Sequence, residues 1–263
     1  MDISEFKQKI YEKVGWDLSG YKSKQLDRRI LAFMEKNNFN NLQDFYNNLN
    51  KDPIKMKEFL DKITINVSEF FRNPDKFAEL KSELLPELHK RSKRLKIWSA
   101  GCSSGAEIYS IAIILDELGY LSDSHLVATD IDNNILKKAL KGVFKFNEEL
   151  KNVDSNRLKK YFNQINDNEY EVKEYIKRKV NFKLHNLLNF PYESWCDLIL
   201  CRNVVIYFSE ETKDKVYRGF YNSLKNYGIL FIGSTERIIK AKEIGYNIIS
   251  PFFYQKRKIE LNE

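Results

Sequence analysis

Twelve residues from Lys96 to Glu107, reading Lys-Ile-Trp-Ser-Ala-Gly-Cys-Ser-Ser-Gly-Ala-Glu, constrain this chain more than any other stretch. A short apolar run ends in a turn of small residues, and an amphipathic helical pattern follows at Ile108, Ile111, Ala112 and Leu115. Strand, glycine turn and helix in that order form the ligand crevice of an open α/β sheet at the carboxyl end of its first strand. The turn glycines, Gly101 and Gly105, let the backbone pass close to a ligand, because glycine has no side chain in the way. The alternation continues downstream. Strands are expected at 95–99, 125–129, 179–184, 197–201 and 228–232, with helices at 105–118, 132–140 and 210–224. Strands separated by helical stretches predict a parallel sheet with right-handed crossovers. Phe252-Phe253-Tyr254 is expected as a last strand, paired antiparallel. Between about 144 and 178 the alternation breaks. A helix from Arg157 to Phe162 and a strand or hairpin around Tyr170 to Tyr175 are expected there as a small β insertion.

The first 64 residues have a helical period instead. Ile3, Phe6, Ile10 and Tyr11 recur on one face, as do Leu26, Ile30, Leu31, Phe33 and Met34, and then Leu42, Phe45, Tyr46 and Leu49. A fourth helix starts at Asp52-Pro53, with Asp52 as cap and Pro53 in the first helical position, and carries Ile54, Phe59, Leu60 and Ile63. The expected organisation is a helical domain over 1–64, a linker and covering segment over 65–94, and an α/β domain over 95–263. No apolar run approaches the roughly 20 residues needed to cross a bilayer, and the start, Met-Asp-Ile-Ser-Glu-Phe-Lys, lacks the apolar core of a signal peptide. Three scattered cysteines form neither a disulfide framework nor a zinc pattern, and the three histidines lie far apart. A cytoplasmic protein without a metal is expected. The net charge of +7, from 44 Lys and Arg against 37 Asp and Glu, favours acidic partners without choosing among nucleic acid, anionic lipid and carboxylate-rich protein. The run Lys90-Arg91-Ser92-Lys93-Arg94 reads as a solvated helix end and loop.

Three loops supply the candidate pocket. The second strand ends Ala128-Thr129-Asp130-Ile131-Asp132, and an acid there is where such folds bind ribose hydroxyls. Asp130 suits that role, and Asp132 is the better candidate to cap the next helix. The glycine turn is not G-x-G-x-x-G, and Glu107 in the first turn of the helix would repel a phosphate. A cationic nucleoside without phosphate fits better, and S-adenosylmethionine is such a molecule, with Glu107 as a partner for its ammonium group. The fourth strand runs into Cys201-Arg202-Asn203-Val204-Val205-Ile206-Tyr207-Phe208, where Asn203 and Tyr207 can offer an amide and a hydroxyl.

Together these segments resemble the CheR family of chemotaxis receptor methyltransferases. Asn66-Val67-Ser68-Glu69-Phe70-Phe71-Arg72 is similar to its N-x-T-x-F-F-R, and Trp98 to Ser110 to its W-S-A-x-x-S-T-G-E-E-P-Y-S. Ala128 to Asp132 matches A-T-D-I-D, Asn186-Leu187-Leu188 matches N-L-L, and Cys201 to Phe208 matches C-R-N-V-M-I-Y-F. The resemblance covers nearly the whole chain. It implies a class I S-adenosylmethionine-dependent methyltransferase domain, Rossmann-like, preceded by an all-helical domain. It implies methyl transfer to glutamate carboxylates of methyl-accepting chemotaxis receptors, with S-adenosylhomocysteine as product. The implied cofactor-binding residues are Asn66, Ser68, Arg72, Ala100, Gly101, Glu107, Asp130, Ile131, Asn186, Leu187, Asn203 and Val204, and the implied catalytic pair is Arg72 and Tyr207. The helical domain, notably Tyr21 to Arg29, is expected to meet the receptor's cytoplasmic helical bundle, the enzyme acting as a monomer at receptor clusters without entering the membrane.

The chain departs from the family pattern at Ala106 and Ile108, which replace a glutamate and a proline. The stretch Phe162 to Tyr170 is short and has no glycine, whereas members that dock on a tethering pentapeptide at the receptor tail have a glycine-containing loop there. Pentapeptide-independent action is expected. The alternatives are a nucleic-acid methyltransferase, against which the lack of prolines in Cys201-Arg202-Asn203-Val204 counts, and a non-catalytic module that binds the cofactor and docks on a receptor.

Overall fold

The computed structural model describes residues 1–15, 21–63 and 68–257. The chain divides into two compact units, Met1–Asn66 with Ile206–Lys213, and Val67–Val205 with Asp214–Glu263.

The helical unit holds α1 (Ile3–Val14), α2 (Ser23–Lys36), α3 (Leu42–Lys51) and α4 (Pro53–Ile63). Asp2 caps α1 by accepting from the Glu5 N–H at 2.8 Å, and Gly15 ends it in the left-handed conformation with φ 74°. Asn41 caps α3, and Asp52 accepts from the Ile54 and Lys55 N–H groups at 2.9 and 3.2 Å, as its place before Pro53 predicts. The core is Phe6, Ile10, Leu26, Ile30, Met34, Phe45, Leu49, Met56, Phe59 and Ile63. Its aromatic rings meet edge-on or stacked, with Phe6, Phe45 and Phe59 centroids 5.5–5.8 Å apart. Three apolar residues expected on the buried faces lie outside it: Tyr11 is 46% exposed, Leu31 38% and Ile54 71%. Tyr11 and Leu31 sit at the margins of their helices' apolar stripes, whereas Ile54 lies on the side of α4 opposite the buried Met56, Phe59 and Ile63.

In the larger unit α5 (Pro74–Glu79), a π-helical turn (Leu80–Leu84) and α6 (Leu85–Arg91) precede the sheet. Phe70, Phe71, Phe77, Leu80, Leu85 and Leu88 belong to the same buried cluster as the sheet and α7, so this stretch carries core and is not only a linker. The sheet strands are β1 (Lys96–Ala100), β2 (His125–Asp130), β6 (Val180–Leu184), β7 (Cys196–Cys201), β8 (Leu224–Ile232), β9 (Tyr246–Ser250) and β10 (Phe253–Lys256). Their order is β6-β2-β1-β7-β8-β10-β9, parallel except for β10, which runs antiparallel to β8 and β9. β7 is buried at every residue, as a central parallel strand covered on both faces must be. Trp98 is wholly buried, and its indole N–H donates to Thr129 Oγ1 at 2.9 Å.

The connections are α7 (Ala106–Glu117), α8 (Asn133–Lys141), α10 (Glu174–Lys177), α11 (Glu210–Ser223) and α12 (Ala241–Ile244). The insertion contains α9 (Ser155–Tyr161) and a three-stranded antiparallel sheet, β3 (Val143–Lys145), β5 (Glu169–Val172) and β4 (Phe162–Gln164), in the order β3-β5-β4. The expected strands and helices are present within a few residues. Strands β3, β4 and β9 and helix α12 were not foreseen, and the strand expected around Tyr170 to Tyr175 ends at Val172, with Tyr175 in α10. β3 is only three residues long, and β9 is an edge strand whose Asn247, Ile248 and Ile249 are exposed, so neither has a one-sided pattern. The helix expected to end at Phe162 stops at Tyr161, because Phe162 pairs with Val172.

Parallel register brings the strand ends level. Ala100 pairs with Thr129, Asp130 with Leu184, and Cys201 with Ile232. The loops after β1, β2, β6, β7 and β8 therefore share one carboxyl edge.

Candidate functional site

Carbonyls at the end of β2 join two of these loops to the strand. Thr129 O accepts from the Gly101 and Cys102 N–H groups at 2.8 and 2.9 Å, and Asp130 O accepts from the His185 N–H at 2.9 Å. Between them stands the Asp130 side chain, 9% exposed. Its two oxygens accept one main-chain N–H each, from Ser103 at 2.8 Å and Asp132 at 3.0 Å. Burial raises its pKa above the usual aspartate value, opposed by those two N–H groups. Each carboxylate oxygen keeps acceptor capacity, which is what a vicinal diol requires. Asp132 caps α8, accepting from Asn134 N–H at 2.8 Å and Ile135 N–H at 3.3 Å. Asp132 is thus the helix cap that its position predicts.

The turn glycines are packed closely against side chains of the fold. At Gly101, φ is 78° and an added Cβ would stand 2.5 Å from Val204 Cγ2. At Gly105, φ is 85° and a Cβ would press on Ala139, Phe182 and Tyr109 at 3.1–3.2 Å. Both are needed for chain reversal and for side-chain packing.

Glu107 lies in the first turn of α7, 14% exposed, but its carboxylate is already engaged. Ser99 Oγ donates to Oε1 at 2.8 Å, and Arg202 Nη1 donates to Oε2 at 3.3 Å. Arg202 was not singled out from the sequence. It stands in the Cys201-to-Phe208 motif beside Asn203, and only the fold turns it back toward α7. Glu236 was also not foreseen. It is buried, and its Oε2 accepts from the Gly233 N–H at 2.6 Å and the Asn203 N–H at 3.1 Å, which holds Asn203 at φ 61°.

The segment around Phe71 is fixed at several points. Phe70 N–H donates to Glu149 O at 2.9 Å, Phe71 N–H to Ser110 Oγ at 3.0 Å, and the Phe70 ring meets Phe144 at 4.8 Å and Phe162 at 5.2 Å. Ser68 is half-buried. Arg72 is 39% exposed, with its Nε 3.8 Å from Glu69. Among the described residues, four non-glycine positions with positive φ fall in these loops: Phe71, Asn73, Ser103 and Asn203. Strained backbone of this kind persists where the surroundings over-determine it, and it gathers at functional sites.

Among the described residues, buried side-chain polar atoms without a hydrogen-bond partner on these same loops include Ser103 Oγ, Ser104 Oγ, His185 Nε2, Asn186 Nδ2 and Arg202 Nε. Buried polar atoms are nearly always paired, so this concentration fits loops that receive a polar ligand. Leu187 is buried beside Asn186, and its carbonyl accepts the Tyr192 hydroxyl. Ala100 is buried at the end of β1, and Ile131 and Val204 are half-buried. Burial drives the Cys102 and Cys201 thiols well above their ordinary pKa, so neither is a thiolate nucleophile at neutral pH. No group of three or more His, Cys, Asp or Glu able to hold a metal occurs among the described residues.

Tyr207 groups with the helical unit. Its carbonyl accepts the Lys22 N–H at 2.7 Å, and its ring lies 5.1 Å from the Arg29 guanidinium. Of the basic residues of the Tyr21–Arg29 stretch, Lys24 and Arg28 are exposed, while Lys22 stands 3.9 Å from Glu210. Asn66 lies outside the described residues.

The sheet order, with its antiparallel β10, and the matched methyltransferase domain define a class I S-adenosylmethionine-dependent methyltransferase fold. The family described as "CheR methyltransferase, SAM binding domain" matches residues 66–251, and "CheR methyltransferase, all-alpha domain" matches residues 1–64. The chain belongs to the CheR methyltransferase family. It is 36% identical to a chemotaxis protein methyltransferase of Listeria innocua over 97% of each chain. It is 34% identical to one of Borreliella burgdorferi, over 97% of this chain and 94% of that one. With chemotaxis protein methyltransferase 2 of Vibrio cholerae it shares 30% identity, over 97% of this chain and 89% of the relative.

Proposed function

We propose that this chain transfers a methyl group from S-adenosylmethionine to glutamate side chains of chemotaxis receptors, forming methyl esters. The observation that carries this reading is the buried Asp130 carboxylate at the carboxyl edge, flanked by buried polar atoms with no protein partner. The relatives' names support the chemotaxis setting. When bound, S-adenosylmethionine supplies a methyl group on a positively charged sulfur.

Asp130 accepts the ribose hydroxyls. Asn186 and Leu187 line the site, Asn186 offering its buried amide nitrogen. Glu107 receives the amino group. Ser68, Arg72, Ala100, Gly101, Ile131, Asn203 and Val204 complete the lining, with Asn66 joining them by family resemblance. A receptor glutamate, with a reference pKa of about 4.3, is already ionised at neutral pH and needs no general base. The enzyme's work is placement and exclusion of water, and correct near-attack geometry can supply roughly 7–11 kcal/mol of barrier reduction. Arg72 orients the incoming carboxylate with its fork of donors. Tyr207 is the second catalytic residue by the same resemblance. The partner is the cytoplasmic helical bundle of the receptor, met by the Tyr21–Arg29 stretch, so the enzyme works in the cytoplasm at receptor clusters.

Incubation with methyl-labelled S-adenosylmethionine and receptor-bearing membranes tests this. The expected product is a base-labile label on the receptor, released as methanol, with turnover sharply reduced in Arg72→Ala. Stable label on RNA or DNA, or no label at all, contradicts the proposal.

A further inference from the structure

Arg202 makes more connections across the carboxyl edge than any residue assigned above. Nη1 donates to Glu107 Oε2 at 3.3 Å. Nη2 donates to the Arg72 carbonyl at 2.8 Å and to Asn73 Oδ1 at 2.6 Å. The guanidinium lies 4.4 Å from the Phe231 ring and 5.5 Å from the Phe77 ring, with the side chain only 4% exposed. One planar group therefore ties the first turn of α7 to the start of α5.

The turn it holds is strained. Asn73 sits at φ 64° and Phe71 at φ 50°, so residues on both sides of Arg72 are in the left-handed region. Such a conformation persists only if outside contacts enforce it. Phe71 has its own tether, since its N–H donates to Ser110 Oγ. On the other side, the Arg72 carbonyl and the Asn73 side chain are both held by Arg202. Among the described residues, the Arg72 side chain itself is anchored only by its 3.8 Å approach to Glu69, so its position follows its main chain.

We propose that Arg202 is a positioning residue, which locks the Arg72–Asn73 turn to Glu107 and so sets where the Arg72 guanidinium stands relative to the cofactor's charged end. This rests on the reading that S-adenosylmethionine binds at Asp130 and Glu107. A buried ion pair by itself contributes little net stability. A planar fork that bridges three acceptors on two segments contributes geometry, which a lysine ammonium cannot reproduce.

The test uses the full chain, S-adenosylhomocysteine as binding probe, receptor-bearing membranes as methyl acceptor, and hydrogen exchange over residues 70–76. Arg202→Lys keeps a cation beside Glu107 and loses the bridge. Its expected signature is S-adenosylhomocysteine affinity within about threefold of wild type, kcat lower by about tenfold or more, and faster exchange in the turn. Asn73→Gly tolerates the positive φ and deletes only the side-chain acceptor, so it keeps the question open to test should Arg202 variants fold poorly. It is expected to shift kcat and exchange in the same direction by a smaller factor. Unchanged kcat and exchange in both variants overturns the proposal. Affinity and turnover falling together with the melting temperature also overturns it, because that is the pattern of a merely structural residue. A wild-type chain that takes up no S-adenosylhomocysteine overturns the cofactor reading and this proposal with it, whereas normal uptake with unaltered variants removes this proposal alone.

Discussion

Asp130 is ionised at a cost. Burial disfavours its charge, and two main-chain N–H groups only partly compensate, so its pKa is raised in the folded chain. An acid with a raised folded pKa contributes stability that is fully present below its unfolded value of about 3.9 and is lost as pH rises through the folded value. Asp130→Asn abolishes that component. Melting temperatures measured at intervals from pH 4 to 8 should decline less steeply with rising pH in the variant, while S-adenosylhomocysteine affinity falls at least about tenfold by calorimetry, the worth of one charged hydrogen bond. Gly101 makes a second case. Gly101→Ala combines a Cβ 2.5 Å from Val204 Cγ2 with φ 78°. We expect a loss of about 1–3 kcal/mol in urea denaturation. Val204→Ala should restore only the steric part, because the backbone strain remains. Full recovery in the double variant would show that the φ value carries no penalty.

At the scale of elements, the insertion is tied to α7 by charge. Arg157 of α9 donates to both oxygens of Glu117, at 2.8 and 2.9 Å, and its guanidinium lies 4.2 Å from the Phe71 ring. Lys81 reaches Glu117 Oε2 at 2.9 Å. Burial pushes the Glu117 carboxyl up, but Arg157 and Lys81 together outweigh it and hold the pKa below the ordinary range. A depressed acid contributes stability above its unfolded pKa and loses it as pH falls through the folded value. Glu117→Gln should therefore cost about 1–3 kcal/mol at pH 7, with the gap to wild type narrowing below about pH 4; a gap independent of pH would contradict this. The β4–β5 turn is closed by Asn166, whose Oδ1 accepts from the N–H groups of Asn168 at 3.0 Å and Glu169 at 2.9 Å. We propose from this short, glycine-free stretch that no tether is used. Calorimetry with a receptor-tail pentapeptide should give no measurable heat, and micromolar binding would refute it.

At the scale of the whole molecule, every described residue proposed to line the cofactor site belongs to the larger unit. S-adenosylhomocysteine should stabilise that unit by about 2.7 kcal/mol at a hundredfold excess over its Kd. In calorimetric melting, the ligand is expected to raise the transition of the larger unit. A shift confined to the transition of the helical unit would refute the assignment. Much of the layout was legible in the residues alone. The strand and helix periods, the Asp52 and Asp132 caps and Asp130 at the end of β2 each depend on neighbours within a few positions. Hydrogen-bonded turns, caps and amphipathic faces are local, so a local pattern reports them. Arg202 meeting Glu107 across 95 residues, Glu236 bracing Asn203 across 33, and Val204 filling the space above Gly101 were not legible. These contacts exist only once parallel register has brought five separated loops to one edge. No period or spacing encodes which side chains will face each other there, because that depends on how the strands stack, and stacking is decided by burial of the whole core.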